Sequence, residues 1–544
     1  MRTAVLLYAL AVLVRATGMM AFPDPAYADS SYYVEVARSL AAGRGLSVDF
    51  VWIFAEVGGT LPADPVLPVP SNAHWLPLAS FIQAPFVLVL GPTAVASALP
   101  MVLIGALAAP LTLAIARDMG ASRTVQLGAG VLAAIPAAGT VFMPQPENFA
   151  IFQPLVAATL WFAARGLRGD ARAYVAAGLL VGLASLARND AFLLGAAVGL
   201  VFVIDRVRAW RAGRPPALPV RAAVACFGAF MLVLGPWWLR QLAEFGSISP
   251  TASGGEALWL TDYRQWNSTT ADVSFAAFMA QGWGTILQTR LVGLLGSLAN
   301  FTVLISSIVM LPLIPIGAWA RRRSDDILPY LLFFAILLAG ATIIFPLHVP
   351  GGAFIHTAVG LGPHSYILGL EGVALVVAWI AARRPGWDPA IATPLFSWFV
   401  VAFVAGSAVL YAPTVYASWD ETRVPRRTLA TELDRLGVAA DDRLMSIDAG
   451  GFKYWTGRGG VVSPDDPLER IEDVARGYGI RWLVLERRAI VEALRPVLRD
   501  DDRPGWIGPA VFTVPSSADD GVPALALYPV CLDVSDGRCV EAGT

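Results

Sequence analysis

Trp75-Leu76-Pro77-Leu78-Ala79-Ser80-Phe81-Ile82-Gln83-Ala84-Pro85-Phe86-Val87-Leu88-Val89-Leu90 is apolar enough to enter a membrane and too short to cross one. A crossing helix needs about 20 apolar residues, and Pro77 and Pro85 interrupt this run. How it is read sets the sidedness of the whole chain. Longer apolar runs lie on either side of it, roughly at 4–22, 93–116, 123–142, 147–166, 171–187, 190–206, 220–240, 290–319, 327–346, 364–382 and 393–416. Cytoplasmic loops carry the excess of basic residues. Arginines cluster at Arg117/Arg123, Arg165/Arg168/Arg172, Arg206/Arg208/Arg211/Arg214/Arg221, Arg321/Arg322/Arg323 and Arg383/Arg384. These clusters fall at every second break only if 75–90 does not cross. The reading is then an all-α polytopic membrane protein of about eleven spans, with the N-terminus inside.

The first run follows Met1-Arg2-Thr3, contains Arg15 and has no small-residue cleavage site before Pro23, so it reads as a retained span and not a signal peptide. Hydrophobic residues make up 56% of the chain and charged ones 15%, against about 25% in soluble domains. The net charge of −2 gives no case for nucleic acid, which would need a basic face. After Trp419 the composition becomes globular. Leu444–Asp448 and Trp482–Glu486 read as strands and Pro467–Tyr478 as a helix. The expected organisation is a membrane unit over 1–416, with its first outer loop at 23–92, and a small extracytoplasmic α/β domain over 417–544. Cys531 and Cys539 could form a disulfide there or remain two thiols; Cys226 sits in an apolar run.

With this parity the segments left outside are 23–92, Pro144–Asn148, Arg188–Asp190, 241–289, 347–363 and the tail. His74, His348, His356 and His364 all fall in or beside them, so the chemistry is expected on the outer face. The inner loops hold little but arginine. In the first outer loop, Asp29-Ser30-Ser31-Tyr32-Tyr33-Val34-Glu35-Val36-Ala37-Arg38-Ser39-Leu40-Ala41-Ala42-Gly43-Arg44-Gly45 has helical apolar spacing and a glycine stop. It predicts an interfacial helix with Asp29 near its N-cap, a role that would by itself account for the aspartate.

An acidic residue after the first span, then Tyr-Tyr, Ala-Arg-x-Leu and Gly-x-Gly, resembles the first outer loop of GT-C glycosyltransferases of the family 39 type. These include protein mannosyltransferases and aminoarabinose transferases. Pro236-x-x-x-Arg240-x-x-x-x-Phe245-Gly246 also resembles a stretch of that family. The likeness covers most of residues 1–250. It implies a GT-C-like fold and transfer of a sugar from a polyprenyl-phosphate donor to a lipid, glycan or protein acceptor at the outer face of the plasma membrane, with inversion. It also implies that Asp29 acts as base on the acceptor hydroxyl, because such a transfer needs a carboxylate within hydrogen-bond reach of the proton it takes. The family's acidic residue at the second outer turn maps onto Glu147. Without the resemblance Glu147 need only favour a helix N-terminus. The family's Lys-Pro-Pro-Leu element corresponds to Asn72-Ala73-His74-Trp75-Leu76-Pro77-Leu78, so His74 stands where a lysine is usual.

Further substrate-binding candidates are Tyr32 and Tyr33 of the loop, His356, and Arg264 within the charged and aromatic stretch Asp262-Tyr263-Arg264-Gln265-Trp266. Arg188 with Asp190 forms an ionisable pair at a tight turn, where a guanidinium suits a phosphate. The histidine and carboxylate candidates admit a divalent metal without requiring one, and the spacing of the histidines matches no zinc pattern on one helix. A transporter or lipid flippase is the competing reading. It predicts internal repeats and polar residues at mid-membrane, whereas here most polar residues cluster at the outer ends. A membrane-anchored sensor would not need eleven spans.

Overall fold

The computed structural model describes residues 1–250, 256–345, 353–518 and 520–532. His348 and Cys539 lie outside the described residues. Among the described residues seven helices are long and apolar enough to cross a membrane: Arg2–Ala21, Ala94–Asp118, Phe149–Leu167, Val220–Phe245, Gly282–Ser306, Phe354–Ala381 and Pro389–Glu432. Leu78–Leu90, Ala171–Ala187 and Leu328–Ile344 are shorter and apolar. Leu78–Leu90 spans about 20 Å at 1.5 Å per residue, short of the ~30 Å hydrocarbon core. It lies beside the helix Ala28–Ala41, where Ser80 Oγ donates to the Tyr33 carbonyl at 2.9 Å.

Two of the eleven expected spans are broken. The run 123–142 is helical over Arg123–Ala134 and then ends at Ile135-Pro136, with a 3-10 turn at Ala137–Val141. The run 290–319 starts earlier, at Gly282. It ends in a π-helical turn at Thr302–Ser306 and reverses through left-handed Ser307 (φ 48°) and Ile308 (φ 62°) before resuming at Leu313–Arg321. Hydropathy reports neither break, because the residues at both stay apolar or small.

Close helix contacts depend on missing side chains. A Cβ on Gly178 would sit 2.1 Å from the Cys226 carbonyl oxygen, which holds Ala171–Ala187 tight against Val220–Phe245. Cys226 itself is free and buried, while Cys531 is disulfide-bonded.

The arginine-rich loops meet at one end of the bundle. Arg168 pairs with Asp118 and with Asp326 (2.8 Å), and Arg208 with Asp325 (2.7 Å). Arg321 pairs with Glu371 (2.5 Å) and donates to the Met119 carbonyl (3.1 Å). At the opposite end stands a six-stranded mixed sheet. Its strand order is Phe50–Val51, Gly460–Val462, Arg443–Ser446, Ile480–Glu486, Leu525–Pro529, Phe512–Val514. The first four strands are parallel and the last two pairings antiparallel.

Two features cross the expected boundary at 416. The helix Pro389–Glu432 runs unbroken through it; its 44 residues give about 66 Å, so it projects well beyond a bilayer. Arg426 on that helix is buried between Glu486 (2.8 and 2.7 Å) and Asp448 (2.5 Å), which ties helix to sheet. The edge strand Phe50–Val51, moreover, comes from the first loop, with Phe50 opposite Gly460.

Candidate active site

The second turn is shaped before it is charged. Helix Arg123–Ala134 ends with exposed backbone carbonyls, and Arg15 from the first helix donates to two of them, Ala134 O (3.2 Å) and Ala133 O (3.3 Å). This accounts for a charged residue buried at membrane depth with no carboxylate among its hydrogen-bond partners. The chain then folds through Pro144 and Pro146, held by Gln83 Nε2 on the Pro146 carbonyl (2.9 Å) and by Ala26 N on Gln145 Oε1 (3.0 Å). Glu147 is thereby delivered, buried, to the start of the helix Phe149–Leu167.

Asp29 comes from the first turn of Ala28–Ala41, and His356 from Ala353–Ala358. One ligand-type atom from each of Asp29, Glu147 and His356 lies within 4.8 Å of the others. Glu147 Oε2 and His356 Nδ1 are 3.5 Å apart, and neither has a hydrogen-bond partner among the described residues. The His356 ring stacks on Phe149 at 4.3 Å, which fixes its plane. Two buried lone-pair atoms 3.5 Å apart beside the Asp29 carboxylate form an oxygen and nitrogen donor set that fits a divalent cation.

Desolvation raises the Asp29 carboxyl above its ordinary range. The positive side of His356 opposes this, Glu147 adds to it, and Arg188 and a hydrogen bond from Trp75 oppose it again. Arg188 clamps Asp190 bidentately (3.0 and 3.0 Å), and Thr357 donates to the same carboxylate. Burial alone would lower the guanidinium pKa, but Asp190, Tyr33 and Asp29 outweigh it and the net shift is upward. Arg188 thus stays fully cationic beside the carboxylates. Asn148 Nδ2 bridges the Tyr33 hydroxyl and the Ala187 carbonyl (2.8 Å), fixing the tyrosine against this turn.

The remaining candidates lie outside the cluster or at its edge. Tyr32 is fully buried in the core of the first loop, its ring tilted against Trp75 with centroids 4.4 Å apart, and its hydroxyl accepts from Asn72 N at 2.8 Å. Consecutive residues on a helix point about 100° apart, so Tyr32 and Tyr33 cannot both face one recess. His74 packs among Phe54, Trp75 and Trp266, and burial lowers its pKa to about 4, so the ring is neutral. Its carbonyl accepts from Asn189 Nδ2 at 2.8 Å. Arg264 is exposed on Asp262 (3.1 Å) and takes no part in the cluster. Tyr27 was not expected: its hydroxyl donates to Glu147 Oε1 at 3.0 Å. Its ring belongs to an aromatic wall with Phe142 (6.5 Å) and Trp419 (6.0 Å). Only its place just ahead of Asp29 in the loop hinted at this.

The family model described as dolichyl-phosphate-mannose-protein mannosyltransferase matches residues 70–234. Among solved structures, ArnT from Cupriavidus metallidurans bound to undecaprenyl phosphate aligns with a TM-score of 0.53 at 14% identity. The alignment covers 96% of this chain and 97% of that one. The Archaeoglobus fulgidus oligosaccharyltransferase in its apo form gives 0.53 at 13% identity over 89% of this chain and 69% of that one. Its complex with Zn and sulfate gives 0.52 at 13% identity, over 88% and 68%. No curated protein sequence matches. At such identities what is shared is the fold. The chain is a multi-pass membrane protein with the fold of the GT-C glycosyltransferases.

Proposed function

We propose that this chain moves a glycosyl group from a polyprenyl-phosphate sugar to an acceptor hydroxyl, inverting the anomeric centre, on the extracytoplasmic side. The observation that carries the reading is the convergence of Asp29, Glu147, His356 and Arg188, from four separate segments, at the end of the bundle opposite the arginine-rich loops. Immediately beneath lies an apolar groove of about 560 Å3 lined by Leu78, Ile82, Leu107, Ile151, Leu155 and Leu183. Ile151 lies in the first turn of the helix that follows Glu147, and Leu183 in the last turns of the helix that ends just before Arg188. A headgroup at the cluster would leave an isoprenoid tail in this groove and in lipid.

Asp29 takes the proton of the acceptor hydroxyl as its oxygen attacks the anomeric carbon. The bond from that carbon to the phosphate oxygen breaks, and the departing phosphate keeps the electron pair. Arg188, oriented by Asp190, donates to the phosphate. Glu147, His356 and Asp29 are the residues that would hold a divalent cation, which would supply charge neutralisation next to the phosphate. Tyr27 fixes one Glu147 oxygen and leaves the other for this role. The C-terminal sheet domain would then stand outside the membrane.

The protein in nanodiscs, supplied with polyprenyl-phosphate hexoses and pentoses and a membrane glycolipid extract, should release polyprenyl phosphate. No release from any donor overturns the reading. A C-terminal tag accessible only from the cytoplasm overturns its sidedness.

A further inference from the structure

The loop that crosses above the site encloses a second cavity, of about 180 Å3, between the turn Gly58-Gly59-Thr60 and residues 257–273. Resting on the function proposed above, we propose that this cavity holds one sugar ring of the acceptor, so that the acceptor is a neutral glycan.

The volume is below the ~300–1,000 Å3 of pockets for drug-sized molecules and suits about one sugar ring. Among the described residues its lining carries no charged side chain. Phe54 and Trp266 form a corner, their rings 5.3 Å apart at 75°, which offers an apolar face to the C–H side of a sugar. Gln265 spends its oxygen on Thr261 N (2.7 Å) and Asp262 N (3.2 Å), leaving its amide nitrogen to donate to a hydroxyl. Gly58 and Gly59, at φ 64° and 76°, turn the opposite wall without side chains.

Hydrogen bonds from the sheet domain brace one wall of the cavity. Asp466, from the sheet domain, accepts from Thr269 N (2.7 Å), Thr269 Oγ1 (2.7 Å), Thr270 Oγ1 (2.6 Å) and Ser268 Oγ. Arg470 Nε adds a bond to Thr269 Oγ1 at 2.8 Å. Preorganisation of this kind reduces the entropy lost on binding.

The cavity also lies beside the cluster. The short helix Tyr263–Asn267 is the partition: Trp266 touches His74 at 5.9 Å, and Tyr263 is close enough to Asp29 to feel its charge. With one ring held behind Trp266, further rings of the same chain would extend past this partition toward Asp29.

Saturation-transfer NMR in nanodiscs free of glycoside detergent tests this with maltotriose, mannotriose and arabinotriose, and with a neutral heptapeptide as the competing acceptor class. At least one trisaccharide should bind wild type. Trp266→Ala should weaken that binding about tenfold or more, while Trp266→Phe retains most of it. Gln265→Leu keeps the bulk and should also weaken binding, which preserves the test if Trp266→Ala fails to fold. The proposal is overturned if no trisaccharide binds, if Trp266→Ala and Gln265→Leu bind as wild type, or if the heptapeptide competes for the same site. Binding is read without donor, so failure here leaves polyprenyl-phosphate release unaffected.

Discussion

Asp29→Asn separates the chemical role of this carboxyl from its structural one. The replacement is nearly isosteric, and its amide oxygen can still accept from Trp75. What it removes is the negative charge and the capacity to take a proton. A positioned general base contributes about 10²–10⁴-fold, or roughly 2.7–5.4 kcal/mol of barrier. Sugar transfer, followed as polyprenyl phosphate released, should fall by that factor in kcat with little change in donor KM.

Stability should move the other way. The folded-state pKa of Asp29 is raised, chiefly by desolvation, with Glu147 adding to it. The folded protein therefore binds this proton more tightly than the unfolded chain. The associated stability is full below the unfolded carboxyl pKa of about 4 and is lost as pH rises through the folded value. At neutral pH wild type carries that penalty and Asp29→Asn does not. Its Tm should be equal or higher, and the difference should vanish on acidification. The acid limb of kcat/KM in wild type should likewise sit above the ordinary carboxylate range. An Asp29→Asn protein with wild-type turnover refutes the role of base. One that loses activity in proportion to a lowered Tm refutes the stability argument.

Arg188→Lys retains the charge and loses the planar fork that clamps Asp190, so donor KM should rise roughly 10–100-fold (about 1.5–3 kcal/mol) with kcat less affected; an unchanged KM refutes the phosphate assignment. If a divalent cation sits at the cluster, metal analysis after chelation and reloading should show it in wild type, and Glu147→Gln or His356→Ala should bind it at least about tenfold more weakly. Equal binding in all three proteins rules that site out. Gly178→Ala places a methyl 2.1 Å from the Cys226 carbonyl and should cost about 1–3 kcal/mol of stability. Gly199→Ala meets nothing within 4 Å and should be neutral or gain up to ~1 kcal/mol; thermal melts of the two variants decide it.

Much of the architecture is legible because a bilayer is a harsh solvent. It demands long apolar helices and sorts arginine to one side, so run length and charge parity identify most helices and the short Leu78–Leu90 without any coordinates. Asp29 and Glu147 stand out in the sequence because acidic residues beside apolar runs are costly and fall within a recurring loop pattern. His356 and the Arg188/Asp190 turn stand out for their place at the same predicted end. Side-chain direction is not written in such patterns. Tyr32 and Tyr33 read alike, yet the helix turns one into the loop core and the other toward Arg188. Arg264 looks like a ligand residue and is an exposed partner of Asp262. Tyr27, Trp75 and Thr357 acquire their roles only because distant segments bring Glu147, Asp29 and Asp190 to them.

The same limit applies to topology. A two-residue strand, Phe50–Val51, has no periodicity to detect, and its partner lies some four hundred residues away at Gly460–Val462. Hydropathy and charge act locally along the chain, so its threading through a membrane and the gathering of polar groups toward one face can be read residue by residue. Which of those groups meet follows from the folded arrangement, since hydrogen bonds and ion pairs act over a few ångströms between residues that the chain keeps far apart.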